Sequence, residues 1–140
     1  MIGSVITKRV IRKGCRSLNA RRIEPFMRGW AEDAVFVFPG KVSVSGEKRG
    51  RPAIREFFER VLVQFPELEF RIRSLCLQNA FDFVGTNTVA VEWDLEVVNR
   101  VGRRCRYSGV TMLHLRLGKV VLGYDYIFDP DILRVSWSEP

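Results

Sequence analysis

The stretch VEWDLEV, residues 91–97, sets three carboxylates, Glu92, Asp94 and Glu96, in strict alternation with Val91, Trp93, Leu95 and Val97. In a strand, successive side chains point to opposite faces, so the acids share one face and the apolar residues the other. Two readings follow. Either the acids meet water, or they line a cavity where carboxylates exchange protons. Carboxylates crowded into an apolar space cannot all ionise cheaply, so at least one would hold a proton near neutrality. A protonated acid beside an ionised one is a working acid–base pair. Nearby Arg residues would instead turn the set into a structural ion cluster.

Other chemistry is sparse. His114 is the only histidine. In MLHLRL it shares a face with Met112 and Arg116, opposite Leu113 and Leu115, which argues against a nucleophile arrangement built on it. Tyr107, Tyr124 and Tyr126 are possible donors to a ligand carbonyl. Cys15, Cys76 and Cys105 are odd in number and lack CxxC spacing, which disfavours a disulfide framework or a zinc site. No metal is indicated, because the acids lack His companions and Mg²⁺ would need a substrate phosphate. No cofactor is expected.

The elements that must position these groups are legible in the periodicity. From Val5 to Leu18, apolar residues recur at helical spacing with basic ones between them. A short second helix fits RIEPFMRGW, and AVFVF (34–38) is strand-like, stopped by Pro39-Gly40. KVSVSGEKRG reads as a loop. Pro52 suits the first turn of a helix, and Ile54, Phe57, Phe58, Val61, Leu62 and Phe65 share a face beyond it. After Pro66 four strands follow, joined by short turns. Helices followed by an antiparallel meander imply an α+β domain spanning residues 1–140, with helices on one face of the sheet.

Composition bounds the partners. The chain has 140 residues, 46% of them apolar and 11% aromatic, enough for a real core. No apolar run approaches the roughly 20 residues of a transmembrane helix, so no membrane partner is expected. The formal charge of +7 invites a nucleic-acid reading. The basic residues are spread along the chain, however, without an aromatic-rich RNA motif, and a solvated Arg-rich surface is the simpler account. The N-terminus lacks a secretory signal. It is basic enough to raise a transit peptide, but it reads better as a first helix. A reducing cytoplasm fits the free cysteines.

Three strings, LNARRIEPFMRGWAEDAVFVFPG, GRPAIREFF and SGVTMLHLRLGKV...YDYIFD, resemble the SnoaL-like branch of the nuclear transport factor 2-like superfamily over roughly residues 5–132. That resemblance implies a cone: three N-terminal-half helices on the concave face of a strongly curved sheet, around an apolar pocket. The superfamily includes ketosteroid isomerases, polyketide cyclases, scytalone dehydratases and limonene-epoxide hydrolases. Carried over from the hydrolases, the strand Arg-x-Asp falls on Glu92-Trp93-Asp94, so the Arg is replaced. The later Asp falls on Asp125, and the Tyr and Asn that hold the attacking water fall near Phe36 and Phe38. The isomerases' base falls near Phe38 and their oxyanion-stabilising Asp near Val110. Polyketide cyclases carry an acid/base Asp on the last strand, here Asp125 or Asp129. That strand is one residue longer than usual, so a bulge decides which one points inward.

The resemblance therefore implies a catalytic set of Asp125 as general acid/base, Asp94 as its partner and Glu92 as modulator. The Trp93 face would then pack on a second subunit, since many relatives dimerise through the outer sheet surface. In this fold the core is the pocket wall, which makes Trp30, Phe36, Phe38, Phe57, Phe58 and Cys15 ligand contacts. Tyr107 joins them by strand parity. The expected function is a pocket for a small apolar molecule, with cofactor-free cyclisation, isomerisation, dehydration or hydration. The competing class is a ligand-binding or interaction module that has lost catalysis.

Overall fold

The computed structural model describes residues 1–140. In chain order the elements are α1 (Ile2–Asn19), α2 (Ile23–Met27), β1 (Trp30–Phe38), β2 (Gly46–Arg49), α3 (Arg51–Gln64), β3 (Glu67–Leu77), β4 (Asn87–Val98), β5 (Arg104–Arg116), β6 (Lys119–Ile127) and α4 (Ile132–Ser136). Six strands form one curved, unclosed sheet in the order β2-β1-β6-β5-β4-β3, with the helices on one side. The expected α+β cone is what the chain adopts.

Strands β3 to β6 pair antiparallel in sequence, as the turn spacing requires. Two features depart from the expected meander. β1 runs parallel to β6, which closes the sheet's order through a long crossover. The segment read as a loop contributes β2, whose Gly46–Arg49 pair with Phe38–Val35. This short edge strand is mostly polar and exposed, so periodicity carries no trace of it. The C-terminal turn α4 was also unforeseen; it buries Leu133.

Helix α1 is amphipathic. Gly3, Thr7, Ile11 and Leu18 are buried, while Arg9, Arg12, Lys13 and Arg16 stay in water. Its last residue fastens it to the edge strand β3. The Asn19 amide donates from Nδ2 to the Phe70 carbonyl and accepts the Phe70 N–H, both at 2.8 Å. A strand edge whose backbone groups would otherwise face water is thereby satisfied by one side chain. Helix α3 turns Ile54, Phe57, Phe58 and Val61 to the sheet.

The core is aromatic at the helix–sheet junction. Phe36 on β1 is 2% exposed, and its ring lies 5.7 Å from Trp30, 5.2 Å from Phe57 and 5.4 Å from Phe58. Phe26 of α2 packs edge-on to Phe58 at 4.5 Å. Offset and edge-to-face pairs of this kind add to the burial of apolar area.

Two irregularities set which side chains reach the concave face. On β3, Ile72 pairs with Trp93 and Ser74 with Glu92, leaving Arg73 as an extra residue. On β6, Leu115 pairs with Val120 and His114 with Leu122, so Val121 is bulged. The bulge absorbs the additional residue in the last strand. Beyond it the register is regular: Leu113 faces Gly123, Thr111 faces Asp125 and Gly109 faces Ile127.

Candidate functional site

The apolar half of VEWDLEV wins the concave face. Val91, Trp93, Leu95 and Val97 are all buried, between 1% and 5% exposed. The expectation that Glu92 and Asp94 enter the cavity is corrected, as is the idea that Trp93 packs on a second subunit. Asp94 accepts a hydrogen bond from Ser108 at 2.5 Å and lies 3.7 Å from Arg73. Glu92 accepts from Ser74, and Glu96 pairs with Arg106 at 3.2 Å. The cause is energetic. Turning Trp93 and three aliphatics to water would forfeit roughly 1.5–3 kcal/mol per large side chain, whereas the acids find partners on the outer face at no such cost. His114 also lies outside, with Nδ1 3.1 Å from the Thr88 hydroxyl.

Between α1, α2, α3 and the sheet is a cavity of about 130 Å³. Ile11, Cys15 and Leu18 of α1 form one wall, and Trp30, Phe36 and Phe58 another. Phe70, Ile72, Val91, Trp93 and Leu113 supply the sheet side. Its polar groups are few: the Asp125 carboxyl, the Thr111 hydroxyl and the Cys15 thiol. Asp129 is exposed past the end of β6, so the bulge leaves Asp125 as the inward carboxylate.

Asp125 is held in a directed chain. The Trp93 indole donates from Nε1 to Thr111 Oγ1 at 2.8 Å, and Thr111 donates its own proton to Asp125 Oδ1 at 2.5 Å. The indole takes one of the two lone pairs of the threonine hydroxyl, whose own proton points to the carboxyl. Burial pushes the Asp125 carboxyl up from its ordinary 3.8 to about 7, against the Thr111 hydrogen bond, which favours the ionised form. At neutral pH both protonation states are therefore populated. No cation sits beside the group to hold it ionised.

The glycines of β5 and β6 make the space. A Cβ at Gly109 would lie 2.3 Å from the Tyr126 carbonyl oxygen and 2.8 Å from Trp93 Cζ2. The indole thus presses against a residue that must lack a side chain. A Gly109→Ala variant is expected to displace Trp93, break its bond to Thr111 and cost about 1–3 kcal/mol. Thermal unfolding and the near-UV dichroism of the tryptophans check this. A Cβ at Gly123 would meet Leu113, Phe36 and Trp30 at 3.2–3.3 Å, so this glycine also keeps the wall thin.

Among the expected ligand contacts, Trp30, Phe36 and Cys15 line the cavity. Phe38 and Phe57 do not. Their rings pack on each other at 4.9 Å and Phe38 lies against Trp137, so of the neighbouring pair on α3 Phe58 reaches the cavity and Phe57 does not. Tyr107 has the foreseen parity but is buried deeper, edge-on to Trp93. Burial pushes its phenol well above the ordinary 10, so it stays neutral. Burial likewise raises the Cys15 thiol, partly offset by Arg16, which keeps it a weak nucleophile. Thr111 was missed by sequence reasoning. The signal was available: it lies four residues past Tyr107, on the same face of the strand.

Comparisons agree with this architecture. Bal32a, from a soil-derived mobile gene cassette, shares 18% identity with a TM-score of 0.83, over 96% of this chain and 98% of that one. TerC, co-crystallised with polyporic acid, shares 21% identity at a TM-score of 0.81, over 96% and 99%. Rv0760c from Mycobacterium tuberculosis, in complex with estradiol-17β-hemisuccinate, shares 18% identity at 0.76, over 90% and 95%. Identities this low show the fold alone. No curated protein matches the chain. The SnoaL-like domain family matches residues 11–123, which contain the α1 wall, the aromatic junction and the Trp93–Thr111 pair, and the chain belongs to that family.

Proposed function

We propose that the cavity binds a small, largely apolar molecule and that Asp125 moves a proton on it without a cofactor. The observation that carries this reading is the Trp93–Thr111–Asp125 chain, which ends at the apolar cavity on a carboxyl titrating near 7. A general acid/base works best with its pKa near the operating pH. Thr111 occupies Oδ1, leaving Oδ2 as the atom that takes and returns the proton. One such group suits a proton shift on one face of the substrate, as in isomerisation or cyclisation. Glu92 and Asp94 lie outside, so dehydration or hydration would lack a second carboxyl in the cavity. An apolar cavity of about 150 Å³ holds a benzene ring; the volume here fits a single six-membered ring, with larger ligands reaching out through the opening. Relatives with the same fold are complexed with polyporic acid and with an estradiol ester, which supports a ring-bearing ligand.

Deuterium uptake from solvent into the α-carbon of cyclohexanone-sized ketones, followed by NMR, tests the reading. The full chain is expected to accelerate uptake, rising with pH to a midpoint near 7 as Asp125 becomes a base. No acceleration over buffer across a panel of ketones that demonstrably bind would sink it. The second reading, a binding protein without turnover, is favoured by Phe36 and Phe38 standing where the hydrolase relatives hold polar residues. Bound ligand recovered unchanged would support that alternative. The same proposal includes a cytoplasmic homodimer. Its outer sheet face would meet a second copy through alternating charges such as Arg73, Asp94, Glu96 and Arg106.

A further inference from the structure

We propose that one end of the cone docks on an anionic lipid surface. That end gathers the first turns of α1, the β3–β4 loop and the β5–β6 turn. Gly118 N–H donates to the Gly85 carbonyl at 2.9 Å, and Leu117 N–H donates to Thr86 Oγ1 at 3.1 Å. Cγ2 of Ile6 would lie 3.3 Å from a Cβ at Gly85 and 3.5 Å from one at Gly118. A Cβ at Gly3 would collide with the Asp82 carboxylate at 2.5 Å. Three segments distant in sequence therefore form one tip.

Its side chains are apolar and project. Ile2, Val5, Phe81, Phe83, Val84 and Leu117 are each between 57% and 73% exposed. Scattered apolar residues need no explanation, but a contiguous group does. Behind it lies positive charge: Lys8, Arg9, Arg12 and Lys13 on α1 and Arg116 on β5, all exposed. Lys8 follows Ile2 by about 9 Å along the helix axis at 1.5 Å per residue. Apolar faces of surface-bound helices sink roughly 5–10 Å, with basic residues at headgroup level. Apolar tip and basic collar are thus spaced for both layers.

Acids are absent where they would oppose such docking. None occurs before Glu24 or between residues 108 and 124. Asp82 is the sole acid between residues 78 and 91, and it is buried. Its Oδ1 accepts the N–H groups of Val84, Gly85 and Thr86, so the charge is spent inside the loop that it shapes. A second copy fits worse, because two such tips would bring like charges together. A phosphate backbone would attract the collar but give Ile2, Val84 and Leu117 nothing apolar to bury against. That no helix is long and apolar enough to cross a membrane does not bear on surface docking, which needs no span.

Co-sedimentation of the full chain with vesicles tests the proposal, comparing phosphatidylcholine alone with phosphatidylcholine containing phosphatidylglycerol. Binding is expected on the anionic vesicles and is expected to weaken with salt. The exposed pair Phe81→Ser/Phe83→Ser should lower apparent affinity by about a hundredfold while circular dichroism is unchanged. A Phe81→Trp variant should shift its emission to the blue on mixing. Four results would overturn the inference: no sedimentation, equal binding to neutral vesicles, full binding by the double serine variant, or an emission that does not move. A wild-type dimer that the serine variant splits, without vesicle binding, would reassign the tip to self-association.

Discussion

Asp125→Asn is expected to abolish proton transfer in the cavity while leaving the fold in place. The amide is close to isosteric, and its Oδ1 can still accept the Thr111 hydroxyl, so the chain from Trp93 keeps its geometry. What is lost is the titrating proton, and a positioned acid/base group contributes about 10²–10⁴ in rate. Deuterium uptake should fall by that factor and lose its midpoint near 7, whereas Asp94→Asn on the outer face should change neither. The variant should also alter stability. Between pH 3.8 and about 7 the native carboxyl holds a proton that the unfolded chain has released. The native state then binds more protons, and stability falls as pH rises through that window. The cumulative loss is roughly 4 kcal/mol at 1.36 kcal/mol per pKa unit. Asn carries no such penalty, so urea unfolding should find the variant gaining on the wild type from pH 4 to pH 8. A constant difference across that range would show that Asp125 is not desolvated as its surroundings imply.

Phe36→Ala carries the largest expected cost to the fold. The ring is 2% exposed and touches three aromatic neighbours, Trp30 on β1 and Phe57 and Phe58 on α3. Truncation of a buried Phe typically costs 3–5 kcal/mol, part of it for the cavity left behind. Because Phe36 also forms the cavity wall, the same change should enlarge the binding space and favour bulkier ligands. Should the alanine variant fail to fold, Phe36→Leu keeps more of the volume, should cost less than the alanine change and still widens the cavity. A melting temperature unchanged by Phe36→Ala would contradict the aromatic junction as the core's centre.

Much of this was legible from residues alone, and the failures have physical reasons. Helical spacing located α1 and α3, because each must bury one apolar stripe. Alternation located β4 but could not say which half of VEWDLEV faces inward, since period two is symmetric. The answer lay in partners on other strands: Ser74, Arg73, Ser108 and Arg106 receive the acids on the outer face. Asp125 was reached only through resemblance, because no local pattern distinguishes an inward carboxylate from an outward one. Gly109 carried no signal either; its role exists only once Trp93 lies across it. β2 was invisible because an exposed polar edge strand buries nothing that would leave a pattern.

The extra residue at Val121 has an evolutionary consequence. Loss of that one codon would leave Leu115 opposite Val120, His114 opposite Leu122 and Leu113 opposite Gly123, now without interruption. Length in the last strand is thus free to drift by one beside the turn, and the carboxyl two pairs further on keeps its aim. An insertion past Gly123 would have no such shelter and would send Asp125 to the outer face in a single step. Within one lineage, the proton chemistry proposed for the pocket would be switched off by an indel that leaves every side chain of the set intact.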